Sequence, residues 1–523
     1  MKTNGNNIKP DWTGGTPQTR DFFFALLCGI LFFLSFPRFG FGVIAWIALV
    51  PLFVALNNVS SLSRALLLGW TAGMAAYIGM LYWIAHVVVN YGYLPLVLGV
   101  ILTILLAGYL SVYFALFAAG IVYFRGKAPL YFAAPVLWIC LEHLKSGLFT
   151  GFPWENLGYS QFSNLLFIQM ADITGVPGLS FLIVLLNVAF FTLLRERSKK
   201  SLALALAVFL IWSGVYAYGA MRIREIRQSM GNARSMDVSL IQGNIEQAVK
   251  WNQDFQTETI RIYEELSLRG AKAPGTLIVW PETAVPFNFQ EPGVLRARVR
   301  QLPSQTKSWL LFGSVSYAAA PAGTDYFNSA FLLSPGGDLA GKYDKVHLVP
   351  YGEYVPLRTL FPFVSSLASG IGDFAAGEGY SPLRMDEKKI GVLICYEGIL
   401  PQAARRYKNA AADVLVNITN DAWFGRTSAP YQHLSMSVFR AVETRLCLAR
   451  AANTGISALV DPTGRILAQT KLFERDAVTG RIPLMQTPTL YARYGDWFVW
   501  AGFIGLAGLF LWSLTRRKRN VRR

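Results

Sequence analysis

Three segments of this chain end in side chains that can do chemistry. "TLIVWPE" closes on Glu282, "GKYDK" brings Lys345, and "IGVLICYE" delivers Cys395 beside Tyr396 and Glu397. Strands that stop at tight turns project their last side chains into a common cleft. A thiol, a carboxylate and a fixed cation held in such a cleft are the parts of acyl transfer. A free thiol has a pKa of about 8.5, so attack on a carbonyl at neutral pH needs a base to take its proton. Glu282 can be that base. The tetrahedral intermediate then carries an oxyanion, which Lys345 and the backbone N–H after the nucleophile can stabilise. No histidine is required.

Each of these residues also has an ordinary explanation. A lone cysteine ending a strand is more often a small buried residue, and a lone Glu after "WP" or a Lys in a charged loop is usually solvated. Cys447, in "RLCLARAA", reads as a packing residue on a helix. His347 and His433 read as hydrogen-bonding or core residues, because two scattered histidines lack ligand spacing. Cys28, Cys140, Cys395 and Cys447 show no CxxC pattern, so neither a disulfide framework nor a zinc site is expected. In "NDAWFG", Trp423 and Phe424 suit an exposed loop.

The elements that must position these residues lie between about 221 and 495. "MDVSLIQGN", "GTLIVWPE", "WLLFGSVSY", "NSAFLLSP", "IGVLICYE", "DVLVNIT" and "ISALVD" are strand candidates bounded by Gly, Asn, Asp or Pro. "DFQTETIRIYEELSLRG" and "YQHLSMSVFRAVETRLCLARAAN" have helical periodicity. Apolar strands interleaved with helices predict a layered α/β domain. No internal repeat is visible.

The rest of the chain has another character. Of 523 residues, 53% are hydrophobic and only 15% charged, and the mean hydropathy is +0.36. That is a membrane composition. Spans of about 20 apolar residues are expected at 21–37, 41–57, 65–88, 94–124, 128–144, 178–194, 202–220 and 496–514. The net charge of +17 would suggest nucleic acid in a soluble protein, but six basic residues crowd the last eight positions, after an apolar helix. They read as a cytoplasmic anchor on anionic lipid. Arg64, Arg125, Lys127, "RERSKK" at 195–200 and the tail place the N-terminus inside and the 221–495 region outside, although Arg222, Arg224 and Arg227 then lie on the outer side. "SGLFTGFPWENLGYSQF" is too polar and broken to span; it reads as a connecting loop or a segment resting at the interface, where Trp154 and Tyr159 suit the headgroup level.

Jointly, "WPE" at 280–282, "YDKVHLVPYGEYVP" at 343–356, "LICYE" at 393–397 and "NITNDAWFG" at 417–425 resemble the nitrilase superfamily in order and spacing. The resemblance covers residues 235–486 and implies an αββα sandwich with a Glu–Lys–Cys triad, here Glu282, Lys345 and Cys395. With seven spans before that domain (1–220), one after it (496–514) and a basic cytoplasmic tail (515–523), the chain resembles the bacterial apolipoprotein N-acyltransferase family. That resemblance implies acyl transfer from a phospholipid, typically phosphatidylethanolamine, through a cysteine thioester to the α-amine of a diacylglyceryl-cysteine on an apolipoprotein. It implies supporting roles for Trp251 in "KWNQ", for Glu353, and for Tyr396 and Glu397. The implied site is the inner membrane, with the catalytic domain periplasmic and no cofactor, metal or nucleic acid involved. The Trp423–Phe424 loop, by its place after a strand, suggests a gate for lipid. Two other readings are a membrane-tethered nitrilase-type amidase and a transporter with an outer ligand-binding domain; few charges in the spans, His86 and Glu142 near span ends excepted, argue against the transporter.

Overall fold

The computed structural model describes residues 19–321, 323–350, 352–354 and 374–521, with side chains described as far as 515. The basic side chains expected of the tail, and Tyr351, Val355 and Pro356 of "YGEYVP", lie outside the described residues.

Among the described residues, five helices are long and apolar enough to cross a membrane: Leu62–Leu81, Leu96–Phe124, Val176–Glu196, Lys199–Asn232 and Trp497–Thr515. The other three expected spans are helical but shorter or more polar. Thr19–Leu34 has 16 residues. The 41–57 segment splits into the 3-10 turn Gly42–Trp46 and the helix Val50–Leu56, which has Pro51 in its first turn. Leu130–Gly147 contains Pro135 and buries Glu142 and Lys145. The expected 65–88 span breaks at Tyr82 into two helices, the second being Trp83–Asn90.

Small residues set the closest packing in this bundle. A Cβ on Gly69 would lie 2.4 Å from the Phe114 carbonyl oxygen, and one on Gly73 would lie 2.8 Å from Ser111. These glycines let helices Leu62–Leu81 and Leu96–Phe124 approach backbone to backbone, where dispersion rather than water drives association. Lys199–Asn232 runs for 34 residues, about 51 Å at 1.5 Å per residue. It therefore continues past the expected end at 220 and hands the chain directly to the first strand.

Twelve strands follow: β1 (Ser235–Gln242), β2 (Leu277–Val279), β3 (Trp309–Ala320), β4 (Gly323–Leu333), β5 (Leu339–Asp344), β6 (Leu383–Met385), β7 (Lys388–Ile394), β8 (Val414–Thr419), β9 (Cys447–Ala452), β10 (Ala458–Val460), β11 (Ile466–Gln469) and β12 (Asp476–Pro483). They form two sheets, β12-β1-β2-β3-β4-β5 and β11-β10-β9-β8-β7-β6. Each has a parallel centre (β1, β2, β3; β7, β8, β9) with antiparallel strands outside. The second sheet repeats the spatial pattern of the first, except that the strand beside its parallel centre, β6, precedes β7 in the chain, whereas β12 comes last.

Alternation along the strands builds the layers. Val238, Leu240, Leu277, Val279 and Leu311 share a buried cluster with Val392, Val416 and Leu448 of the other sheet. Ile278, Leu310, Phe312 and Phe331 point the other way, onto Ile260, Tyr263 and Leu266 of helix Gln253–Gly270 and onto Val299 and Leu302 of helix Val294–Thr306. Helices Pro401–Asn409 and Ala429–Thr444 cover the second sheet. The result is the expected αββα sandwich.

One expected helix is shorter than its periodicity predicted. It stops at Arg445, which is left-handed (φ 54°), and Cys447 opens β9 instead of sitting on a helix. Cys447 nevertheless packs, fully buried. Arg445 and Arg450, on either side of it, are buried and paired.

Candidate active site

Glu282 follows β2 by three residues. Trp280 anchors the turn by stacking on Tyr263 (centroids 5.0 Å apart) and donating to Ser267 Oγ (2.8 Å). The turn crosses β3 at Gly313, where a Cβ would lie 2.4 Å from the Thr283 nitrogen. The buried carboxylate accepts from Asn328 Nδ2 (2.7 Å) and from the Asn420 backbone N–H (2.9 Å).

Lys345 follows β5 by one residue and is fully buried. Its Nζ lies 2.8 Å from Glu353 Oε2 and 3.9 Å from Glu282 Oε1. Burial opposes its charge, but Glu353, Cys395 and Glu282 more than offset this and hold the ammonium well above its ordinary pKa. Asn328 also donates to Glu353 (2.9 Å), so one amide ties both carboxylates together.

Cys395 is the first residue after β7 and opens the 3-10 turn Cys395–Ile399 with φ at 52°. A non-glycine residue there is strained, and the turn lifts the half-buried thiol off the strand end. Burial, then the Glu282 charge, push the thiol pKa up, while Lys345 and Thr419 draw it down. The thiol is thus within electrostatic reach of the Glu282 carboxylate and the Lys345 ammonium, both drawn from the opposite sheet.

The other expected residues divide. Glu353 clamps Lys345 and accepts from the Val349 N–H (2.9 Å). Glu397 instead accepts from the Tyr343 hydroxyl and the N–H groups of Val346, His347 and Ile394 at 2.8–3.0 Å; it orients the backbone on both sides of the cleft. Tyr396 stacks between Trp154 (6.4 Å) and His347 (5.9 Å). Trp423 meets Tyr91 (4.8 Å), and Phe424 meets Trp83 (5.0 Å) and Trp154 (6.0 Å). Trp251 is 47% exposed in a turn.

Sequence reasoning missed several neighbours. Lys250, next to Trp251 in "KWNQ", is fully buried and donates to the Glu282 carbonyl (3.2 Å) and to Thr283 Oγ1. Burial pushes its pKa down to about 8 against the pull of Glu282. Asn328 and Asn417 were legible only as strand residues. The 146–162 segment is also corrected: Trp154 and Tyr159 are buried, not at the headgroups. Trp154 donates to Gln432 (2.9 Å) and Tyr159 packs on Phe439 (5.1 Å), because helix Ala429–Thr444 settles on this loop and takes its aromatic face. Among the described residues, no group of three His, Cys, Asp or Glu could hold a metal.

Residues 28–189 match the family described as "Apolipoprotein N-acyltransferase N-terminal domain", and residues 237–490 match "Carbon-nitrogen hydrolase". The apolipoprotein N-acyltransferase of Geobacter metallireducens is 45% identical over 96% of this chain and 96% of its own. This chain belongs to the apolipoprotein N-acyltransferase family. The enzyme of that name from Methylococcus capsulatus is 33% identical over 95% of this chain and 96% of its own, and that from Haemophilus influenzae 33% identical over 95% and 96%. In this family member the N-terminal match falls on the membrane helices and the hydrolase match takes in both sheets. The membrane character and the nitrilase-like fold therefore stand together in one chain.

Proposed function

We propose that this family member N-acylates apolipoproteins, taking the acyl chain from a phospholipid such as phosphatidylethanolamine through a thioester on Cys395. Glu282 takes the thiol proton as sulfur attacks the ester carbonyl. Lys345 and the N–H following the nucleophile stabilise the oxyanion. Collapse breaks the ester C–O bond, and Glu282 returns the proton to the lysophospholipid alkoxide. In the second half-reaction the α-amine of a diacylglyceryl-cysteine attacks the thioester. Glu282 receives the amine proton and passes it to the departing thiolate, leaving an amide and free enzyme. Glu353 keeps Lys345 in place; Trp251 assists from the rim, and the Trp423–Phe424 turn gates the lipid.

The observation that carries this reading is the position of the thiol. Tyr396, beside Cys395, stacks on Trp154 of the apolar-helix region, and Phe424 packs on Trp83 there. A thiol whose neighbours pack on the apolar-helix region suits two lipid substrates better than a soluble amide. In this reading residues 1–220 and 496–514 are the membrane domain, and 235–486 the catalytic domain on the periplasmic face of the inner membrane. Residues 515–523 form a cytoplasmic tail.

The test is intact-mass spectrometry of purified protein with phosphatidylethanolamine, then with a lipopeptide amine. The parent gains one acyl group and loses it to the peptide. Cys395→Ala gains none, Glu282→Gln and Lys345→Met gain it slowly, and Cys447→Ala behaves as the parent. An adduct that survives in Cys395→Ala rules out the assignment. Rapid loss of the acyl group to water without peptide would favour an amidase-like hydrolysis.

A further inference from the structure

The Cys395 carbonyl is held by two side chains the reaction does not use. Asn417 Nδ2 donates to it at 3.2 Å, and His433 Nε2 lies 3.3 Å away. His433 is buried on helix Ala429–Thr444, with Nδ1 2.9 Å from Asp421 Oδ1. The other Asp421 oxygen accepts from Arg450 (2.8 Å), which also donates to Asn417. Burial alone would raise the Asp421 carboxyl, but Arg450 and His433 hold it at about 2, so it is an acceptor only. Both ring nitrogens of His433 therefore face oxygens, and because the Cys395 carbonyl can only accept, the contact there is a donation from Nε2–H; burial and Arg450 push the ring pKa down against the pull of Asp421.

The same ring touches the membrane side. It packs on Trp154 (6.0 Å) and Phe424 (6.1 Å), and both of those rings lie 5.0 Å from Trp83. Asp421 and Phe424 belong to one 3-10 turn, Asp421–Phe424. Movement of that turn therefore shifts a hydrogen-bond partner and a packing partner of His433 together.

We propose that His433 is a positioning residue that holds Cys395 in its left-handed conformation through the Cys395 carbonyl, and so couples the nucleophile to the Asp421–Phe424 turn. This rests on the reading of Cys395 as nucleophile. Without the donation, the Cys395 peptide relaxes toward ordinary φ and the thiol swings from Glu282. A misplacement near 1 Å costs on the order of a hundredfold in rate.

The experiment compares acylation of the full-length protein by phosphatidylethanolamine in detergent micelles, read by intact mass, for His433→Phe and His433→Gln. Phe keeps the ring packing and loses the donation; Gln keeps an N–H near the Nε2 position. The expected result is thioester formation slowed about a hundredfold in His433→Phe, with Tm and the phospholipid KM near the parent, and about a tenth or more of the parent rate in His433→Gln. A folded His433→Phe within about threefold of the parent rate overturns the proposal while leaving Cys395 as nucleophile. If His433→Phe does not fold, His433→Gln decides: a near-parent rate supports donation, and a hundredfold loss in the folded protein refutes it. An adduct in Cys395→Ala would refute the nucleophile reading instead.

Discussion

The two sheets share one pattern of parallel and antiparallel pairing and differ in what covers them. On the first, helix Gln253–Gly270 buries Ile260, Tyr263 and Leu266 and leaves its opposite face to water, where Arg261 pairs with Glu258 and Glu265. On the second, every residue of helix Ala429–Thr444 is buried except Tyr431. Its charges meet partners inside the protein: Arg440 pairs with Glu443 and reaches the Tyr159 hydroxyl, and Arg445, just beyond the helix, pairs with Asp172 of the apolar-helix region. The membrane part thus acts as an added layer on the second sheet. Its docking brings Trp83 and Trp154 to the cleft, while the first sheet contributes Glu282 and Lys345 from the solvent-covered side.

This difference predicts a graded set of responses. The largest is expected at the docking surface. Asp172 accepts from Arg445, Arg222 and Tyr218, so Asp172→Ala strands a buried guanidinium. The loss should be about 3–5 kcal/mol, seen as a lower Tm of detergent-solubilised protein and faster proteolysis between the two parts. A Tm unchanged by this substitution would mean that the second sheet does not depend on the membrane layer.

Next comes Glu397, whose site lies between the sheets. Burial raises its carboxyl pKa to about 7, although the N–H groups of Ile394, His347 and Val346 pull it down. A raised acid pKa favours the folded state fully below the unfolded value of about 4.3 and loses that contribution as pH rises through about 7. The parent should therefore lose on the order of 2–3 kcal/mol from this group between pH 5 and pH 8. Glu397→Gln should show a flatter Tm profile over that window; an equal slope in both proteins would remove Glu397 as its source.

A smaller effect is expected at Asn328, which bridges Glu282 and Glu353. Asn328→Ala should cost about 1–2 kcal/mol in stability and slow acyl-adduct formation about tenfold. If the adduct formed at the parent rate, the bridge would be dispensable for setting the two carboxylates. Smallest is Arg261→Ala on the water-facing helix, where an exposed pair is worth about 0–1 kcal/mol; a Tm shift matching that of Asp172→Ala would erase the contrast between the two covers.

The parts most legible in the sequence were those with a strong local pattern. β2, β8 and β10 fall within the predicted runs, and β1, β3, β4 and β7 overlap them while extending past one end. β9 escaped because it reads as the continuation of the helical run before it, and nothing local says that Arg450 will be buried against Asp421. β5, β6, β11 and β12 escaped as edge or short strands whose pairing is non-local. The broken 41–57 segment shows the same limit: its hydropathy suits a span, but Pro51 and the turn before it divide the helix. Lys250 was overlooked beside Trp251 because burial of a lysine has no local signature.

The sequence by itself determined the apolar and polar division of the chain, the alternation that makes the central strands, and the identities and order of Glu282, Lys345 and Cys395. These depend on side-chain type and short-range spacing, which the chain carries wherever it goes. The tertiary structure decided that residues more than a hundred positions apart share one cleft, that the carbonyl of Cys395, a residue at positive φ, meets Asn417 and His433, and that Trp154 is buried under the second sheet instead of lying at the lipid surface. Such outcomes depend on which faces are left to be covered after the strands have paired, and that is a property of the packed layers, not of any one segment.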